Sequence, residues 1–570
     1  MPIEKRWVVK PQGDPATAAM LAAALRISPV LANLLVQRGI DTVEKADKFF
    51  KPSLADLHDP FLMKDMDKAV ERVEQAVRNN EKIMVYGDYD VDGCTAVALV
   101  YKFLRQIGHK NLMFYIPDRY TEGYGISVKG IDLAARKGVG LIIALDCGIK
   151  ATEKVVYAKT KGVDFIICDH HLPAEEIPRA VAVLDPKRVD CSYPFDELSG
   201  CGVGFKLVQA YAQKNRIPFE QISPLLDLLV VSIASDIVPL VGENRILAHF
   251  GLKDLNREPS KGLLSIIKIC GLDKHNITID DIVFKIGPRI NAAGRLGSPT
   301  LAHDMLLTPS HDEAAKLAQT LTSLNDERRS EEDRIYKEAL EQAEANPKRL
   351  GFVLYGKDWH QGVIGIVASR IVEVYYRPVL ILCSDGESLK GSGRSVPEFD
   401  LHAGLTRCAD MLLGFGGHRQ AAGLRIAPGR LDELRERFDA VIREELGEAP
   451  LTPSLKIDAE MPFSQASDFT VLKGLELLQP FGIGNPEPIF ASLPLRVKKR
   501  KAFGHSREHI SLEVTEEGSG ITLQAKAWRQ ADQIPESIQG QRIRLAYTPG
   551  INAYNGIASV ELRVRDWEVL

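Results

Sequence analysis

The stretch Tyr86-Gly87-Asp88-Tyr89-Asp90-Val91-Asp92-Gly93 places three carboxylates within five residues, directly after an apolar run. Lys82–Tyr86 reads as a short buried strand, and residues 95–104 read as the helix that follows Gly93. The acids therefore occupy a strand-to-helix turn, which in an open parallel sheet lies at the carboxyl edge where ligands bind. Carboxylates this close raise one another's pKa and resist joint ionisation unless a cation compensates. An oxygen-rich set of this kind suits Mg²⁺ or Mn²⁺. An acidic surface turn or a calcium loop is the alternative, and the lack of a bidentate Glu at the expected distance speaks against calcium.

Downstream, β-like runs at residues 83–86, 112–116, 141–145, 165–168 and 181–184 alternate with helical segments. That is the pattern of β-α-β units and of a parallel sheet covered on both faces. Each of the first four runs is followed by charged or metal-capable residues: Asp88, Asp90 and Asp92; Arg119 with Glu122-Gly123-Tyr124-Gly125; Asp146-Cys147-Gly148; and Asp169-His170-His171. Any one Asp in such a place can simply cap a helix. Four in succession deliver their side chains to one edge of the sheet.

Residues 226–234 are an apolar run, helical or strand-like, that ends in Ser235-Asp236, a lone carboxylate that by itself reads as a cap. In the segment from Pro288 to Leu296, Arg289, Asn291 and Arg295 stand among small residues, so the arginines are suited to a phosphate or to surface acids. Residues 310–346 form a long charged stretch expected to be a helix between lobes. A second α/β unit then begins, with strands expected at 351–354 and 379–383. Its glycine-rich segments, expected as loops, contain His360, then Ser392 and Arg394, then His418, a composition suited to an anionic substrate. From near Pro450 the pattern turns to short alternating segments with a turn at Asn555-Gly556, expected to form a small barrel. Lys498, Lys499, Arg500 and Lys501 lie near Phe503, and Trp528, Tyr547 and Tyr554 lie in or beside later strands. Such a barrel suits single-stranded nucleic acid, provided the aromatics are exposed rather than filling its interior.

A chain of 570 residues exceeds one core. The expected division is a helical appendage packed on the first domain (1–75), an α/β catalytic domain (76–308), a connecting helix (309–346), a second α/β domain (347–449) and the barrel (450–570). The net charge of -4 selects no partner, because basic residues can be confined to one groove. Eight cysteines without a C-x-x-C pair read as reduced, mostly buried thiols. With no signal peptide and no membrane-spanning run evident, a cytoplasmic protein away from the membrane is expected.

The ordered motifs DYDVDG, EGYG, DCG, DHH, LSGCGVGFKL, SIASDIVPL, PRINAAGRL, WHQGVIGIVASR, GSGRS and GGHRQAAG resemble the DHH phosphoesterase family, and within it the single-strand-specific 5′→3′ exonucleases of bacterial DNA repair and recombination. The resemblance covers essentially the whole chain. It implies an α/β fold of two lobes, a DHH parallel-sheet domain and a DHHA1 substrate-binding domain, joined by a long helix and followed by an OB-fold barrel. It further implies two Mn²⁺ or Mg²⁺ ions held by Asp88, Asp90, Asp92, Asp146, His170 and Asp236, with Asp146 as the bridge and a catalytic residue. His171 and Arg289 would serve catalysis at the substrate phosphate. Arg119, Asn291, His360, Ser392, Arg394 and His418 would join them in binding the strand, with Ser392, Arg394 and His360 in the second-lobe pocket that receives its 5′ end. Cys147 stands where many members carry Asn, at a position not expected to bind metal. The expected activity is stepwise release of 5′-mononucleotides from single-stranded DNA by a monomer cooperating with single-strand-binding protein and a RecQ-type helicase. A phosphodiesterase for very short oligonucleotides or cyclic dinucleotides, and a catalytically silent strand-binding scaffold, are the competing readings.

Overall fold

The computed structural model describes residues 4–298, 300–449, 451–554 and 557–570. Contacts divide the chain into two compact units, one of Lys51–Arg328 with Pro480–Pro486, the other of Met1–Phe50, Arg329–Gln479 and Glu487–Leu570.

The first residues depart from the expected helical appendage. Helices Pro15–Leu25, Pro29–Gln37 and Val43–Phe50 are present, but Arg6–Val9 is a strand, β1. β1 pairs in parallel with a strand from far along the chain, Ser454–Ile457, and Trp7 Nε1 donates to Asp566 at 2.7 Å. Lys10 reaches the buried Asp458 at 2.6 Å. Residues up to Phe50 thus group with Arg329–Gln479 and Glu487–Leu570. Strand pairing and a buried ion pair outweigh proximity in sequence here.

In the Lys51–Arg328 unit, strands β2 (Lys82–Tyr86), β3 (Leu112–Tyr115), β4 (Val139–Leu145), β5 (Asp164–Cys168) and β6 (Ala182–Leu184) make a parallel sheet of order β3-β2-β4-β5-β6. Alternate residues face opposite sides: Ile83, Val85, Leu141 and Ile143 join one apolar cluster, and Met84, Tyr86, Ile142 and Ala144 another. Burial of both faces explains the near-continuous apolar runs. The chain leaves β2 toward β3, then crosses back to β4, so the topological switch lies between β2 and β4. A crevice is expected there, at the carboxyl ends of the strands.

Residues 226–234 resolve as helical, within Leu226–Ser235. The long charged stretch is the helix His311–Glu344. In the other unit, β7 (Phe352–Gly356), β8 (Val379–Ser384), β9 (Leu389–Arg394), β10 (Leu412–His418) and β11 (Ala421–Ile426) form a sheet of order β10-β11-β9-β8-β7. Two of the three glycine-rich segments expected to be loops are therefore strands. In β9, a Cβ on Gly391 would lie 2.6 Å from Leu424 and one on Gly393 would lie 2.7 Å from Leu380, so close packing across strands replaces the side chains.

The remaining strands are β12 (Ser454–Ile457), β13 (Ala459–Glu460), β14 (Phe490–Ala491), β15 (Leu495–Phe503), β16 (His509–Glu516), β17 (Thr522–Ala527), β18 (Arg542–Tyr554) and β19 (Ile557–Val569). β15 to β19 close on themselves, because β15 and β19 both pair with β18 and β17 pairs with β19. Tyr547 is fully buried, packed on Phe463 and Phe490, whereas Trp528 is 47% exposed. Pro450, the turn at Asn555-Gly556 and the side chain of Tyr554 lie outside the described residues.

Candidate metal centre

β2, β4 and β5 bring their following residues to one place. Asp90 ends the turn after β2 and caps the helix Val91–Gln106, its Oδ1 accepting from Gly93 N–H at 3.0 Å. The turn is tight enough that a Cβ on Gly93 would lie 2.5 Å from the Asp88 carbonyl oxygen. Asp92, in the first turn of the helix, accepts from Gly200 N–H (2.7 Å), Cys201 N–H (2.8 Å) and Ser232 Oγ–H (2.6 Å). Its carboxylate therefore sits at the N-terminus of the helix Gly200–Lys214, where the dipole favours negative charge. Asp146 follows β4 with φ +59°, a left-handed step for a non-glycine residue, while its N–H still donates to Cys168 O at 2.8 Å. Gly200 completes the fit, since a Cβ there would lie 2.6 Å from that of Asp146.

His170 is the hub. Its Nε2 lies 3.2 Å from Asp146 Oδ1, 3.6 Å from Asp236 Oδ2 and 3.8 Å from Asp92 Oδ2. Ligand atoms of Asp92, His170 and Asp236 fall within 4.8 Å of one another, as do those of Asp146, His170 and His171. Asp88 and Asp90 lie outside these two groups, but the charge of Asp90 raises Asp146 and Asp236 within them as well as Asp88 beside them.

The electrostatics call for a cation. Burial first, and neighbouring carboxylates second, push Asp88, Asp90 and Asp146 upward and Asp236 up to about 9. Burial lowers His170, leaving a neutral imidazole suited to ligation. Asp88 Oδ1 and both ring nitrogens of His170 are buried without a hydrogen-bond partner among the described residues. Orphaned acceptors beside crowded carboxylates are the donor set of a hard divalent ion.

His171 is held differently. Burial opposes its protonation, but the hydrogen bond and charge of Asp169, with Oδ1 2.7 Å from Nδ1, raise it overall. Asp169 is itself fixed by the N–H groups of Ile149, His170 and His171. Tyr124 Oη–H donates to the Asp146 carbonyl at 2.9 Å and lies 3.2 Å from His171 Nδ1. Asp169 and Tyr124 stand inside the DHH and EGYG motifs, yet sequence reasoning gave neither a site role. Their parts depend on side-chain direction, which spacing does not reveal.

Arg119 lies over the Tyr89 ring at 4.8 Å, beside the acidic turn. The loop that carries it is locked by Glu122, which accepts from Tyr115, Ser127 and the Asp118 N–H. In the helix Gly287–Leu296, the face turned to that turn carries Gly287, Asn291 and Gly294. A Cβ on Gly287 would meet Ser235 and one on Gly294 would meet Tyr89, and Asn291 Oδ1 accepts from Val91 N–H at 3.2 Å. Asn291 thus braces the turn.

Arg289 sits about 200° around the helix from Gly287, and its guanidinium donates to Lys285 O and Thr322 Oγ1. Arg295 is the arginine whose charge acts on Tyr89, and its carbonyl accepts from Tyr120 Oη–H.

The second-lobe residues form a separate cluster in their own unit. Arg394 Nη1 donates to Ser392 Oγ at 3.1 Å, and a Cβ on Gly365 would lie 2.9 Å from that oxygen. The pair therefore meets the first turn of the helix Ile364–Tyr375. His418, Ala421 and Arg394 are register partners across β10, β11 and β9, so His418 shares their face. His360 Nδ1 accepts from Gly362 N–H just before that helix. On the barrel, Trp528 packs edge to face on Phe503 and His509, with Lys526 Nζ 5.9 Å from the Phe503 and Trp528 rings.

Residues 82–233 match the model of the DHH family, N-terminal domain; residues 350–444 match the DHHA1 domain, and residues 457–566 the RecJ OB domain. A single-stranded-DNA-specific exonuclease RecJ of Bacillus subtilis (strain 168) is 35% identical over 566 residues, covering 98% of this chain and 70% of the relative. The crystal structure of RecJ from Thermus thermophilus in complex with Mn²⁺ superposes with a TM-score of 0.84 at 28% identity, covering 99% of this chain and 79% of that one. The same protein in complex with Mg²⁺ gives 0.79 at 28% identity, covering 99% and 78%.

Proposed function

This chain belongs to the RecJ family, and from that premise we propose that it is a metal-dependent hydrolase that degrades single-stranded DNA from the 5′ end, releasing 5′-mononucleotides. The observation that carries the reading is the convergence of Asp92, Asp146, His170 and Asp236, delivered by β2, β4, β5 and a helix end, with both ring nitrogens of His170 buried and without a hydrogen-bond partner among the described residues. The cofactor is Mn²⁺ or Mg²⁺, and the residues present fit it: Asp88, Asp90, Asp92, Asp146, His170 and Asp236 would hold two such ions. Bound there, divalent ions neutralise the phosphate and leaving oxygen and lower the pKa of an attacking water.

The chain's own groups do the rest. Asp169 keeps a proton on Nδ1 of His171, which leaves Nε2 for the substrate phosphate. Tyr124 donates to the backbone carbonyl of Asp146 and packs edge to face on that imidazole, ring centroids 5.6 Å apart, which sets the histidine beside Asp146. Arg119, stacked on Tyr89, offers a bidentate fork to the strand backbone. Ser392 and Arg394, at a helix N-terminus, suit a terminal 5′ phosphate, which sets polarity. Trp528 and Phe503 with Lys526 suit stacked bases and the strand's charge, whatever the sequence.

Family membership supports single-strand-binding protein and a RecQ-type helicase as partners of a cytoplasmic monomer working in repair and recombination. No described helix is long and apolar enough to cross a membrane. The test is product analysis on single strands labelled at one end or the other. Mononucleotides leaving the 5′ end support the reading, and internal cuts or attack from the 3′ end refute it.

A further inference from the structure

Asp236 is held unlike Asp92. Asp92 is fixed by three hydrogen bonds, whereas among the described residues no hydrogen bond orients the Asp236 carboxylate. Its aim depends on the backbone. That backbone ends the helix Leu226–Ser235 and then passes through Ile237 at φ +60°, a costly left-handed step for a β-branched residue that is also 58% exposed. A strained step persists only where its surroundings over-determine it.

Two supports do so. From one side, Asn244 Nδ2 donates to Pro239 O (3.0 Å) and Glu197 O (2.6 Å). From the other comes Pro480–Pro486, which belongs to the catalytic unit although the chain before and after it belongs to the other. Leu240 N–H donates to Ile483 O at 2.7 Å, and Arg245 Nη1 donates to Pro480 O at 3.4 Å. The segment closes on itself: Gly482 and Asn485 exchange backbone hydrogen bonds of 3.0 and 3.1 Å, and the buried Asn485 Nδ2 donates to Pro480 O at 2.9 Å. Its glycines are what allow contact. A Cβ on Gly482 would lie 2.6 Å from Leu240, and Gly484, at φ +77°, lies against Val241 and Pro239.

We propose that Pro480–Pro486 is a positioning element of the metal centre, backing Leu240 and Val241 so that the left-handed step at Ile237 is kept and the Asp236 carboxylate stays aimed at His170. The inference rests on the reading of Asp236 as a cation ligand. A segment far along the sequence thereby completes a site whose other parts come from the first half of the chain.

The test uses the full chain with Gly482→Val, which presses on Leu240, and Asn485→Ala, which opens the turn without adding bulk. Mn²⁺ binding is titrated by electron paramagnetic resonance of the free ion, alongside cooperative thermal unfolding. Outer supports of metal ligands are worth about 10-fold to 100-fold in affinity, and a weakening of that size is expected in each variant that unfolds cooperatively. Hydrolysis lost at low Mn²⁺ should return as Mn²⁺ is raised. Because the segment acts through Asp236, adding Asn485→Ala to Asp236→Asn should weaken binding little further. Wild-type Mn²⁺ affinity in cooperatively folded Asn485→Ala, or fully additive losses in the double variant, would overturn the proposal. A wild-type chain that binds no Mn²⁺ would instead overturn the reading of the centre itself.

Discussion

Nε2 of His170 lies 3.2 Å from Oδ1 of Asp146, although one residue follows β5 and the other follows β4. In a parallel sheet, adjacent strands end side by side, so residues distant in sequence become ligands of one site. Asp146→Ala removes the member that would be shared between two ions. The expected outcome is hydrolysis reduced by more than about 100-fold, beyond the usual cost of losing an outer support, with metal-free binding of single-stranded DNA largely kept. Comparing turnover with binding of the same labelled oligonucleotide checks this.

The two arginines of the helix Gly287–Leu296 should separate. Arg289 is occupied by Lys285 O and Thr322 Oγ1, while the charge of Arg295 reaches Tyr89. Arg295→Ala is expected to weaken strand binding and to lower the salt slope by about one phosphate contact. Arg289→Ala should leave the slope unchanged, and titrations at several salt concentrations compare the two directly.

The pH dependence follows from the raised carboxyls. In the cation-free protein, burial and neighbouring charge push Asp236 up to about 9 and Asp146 and Asp88 well above the ordinary range. The folded state then binds more protons than the unfolded chain above the ordinary carboxylate pKa. The contribution of these groups to stability is therefore full below that pKa and is lost as pH rises toward about 9. Cations bind the ionised form, so Mn²⁺ should release protons near neutral pH, bind more tightly as pH rises, and raise the unfolding temperature more in alkali than in acid. Calorimetry in buffers of different ionisation enthalpy measures the release, and none would contradict the assignment.

On the barrel, Trp528 is exposed and flanked by Phe503 and Lys526, whereas Tyr547 is buried. Trp528→Ala should cost about 1–3 kcal/mol of oligonucleotide binding, the usual worth of one stacked base. Tyr547→Ala should instead lower barrel stability by about 3–5 kcal/mol, as large-to-small changes of buried aromatics do. Fluorescence anisotropy and thermal unfolding distinguish the two effects.

Much of the centre was legible because its acids follow apolar runs short enough to be strands, and a parallel sheet leaves one edge for what comes after them. Asp88, Asp146 and His170 could be placed by that rule. Asp236 could not, because it follows a helix and reaches the site only through the loop at Ile237. Arg289 and Arg295 are indistinguishable in sequence, since helix phase is decided by whatever packs against Gly287 and Gly294. The glycines of β9 and β11 read as loop residues because glycine lacks the side chain that marks a strand. Arg6–Val9 was hidden for another reason: its partner, Ser454–Ile457, lies far outside any local window. Pairings between distant segments leave no periodicity to read.

The most direct measurement is an anomalous difference map from crystals of the full chain soaked in Mn²⁺. The account expects two peaks within bonding distance of the carboxylates and imidazole of Asp88, Asp90, Asp92, Asp146, His170 and Asp236, with Asp146 touching both. A map without density there, from crystals whose protein still degrades single-stranded DNA in excess chelator, would contradict it.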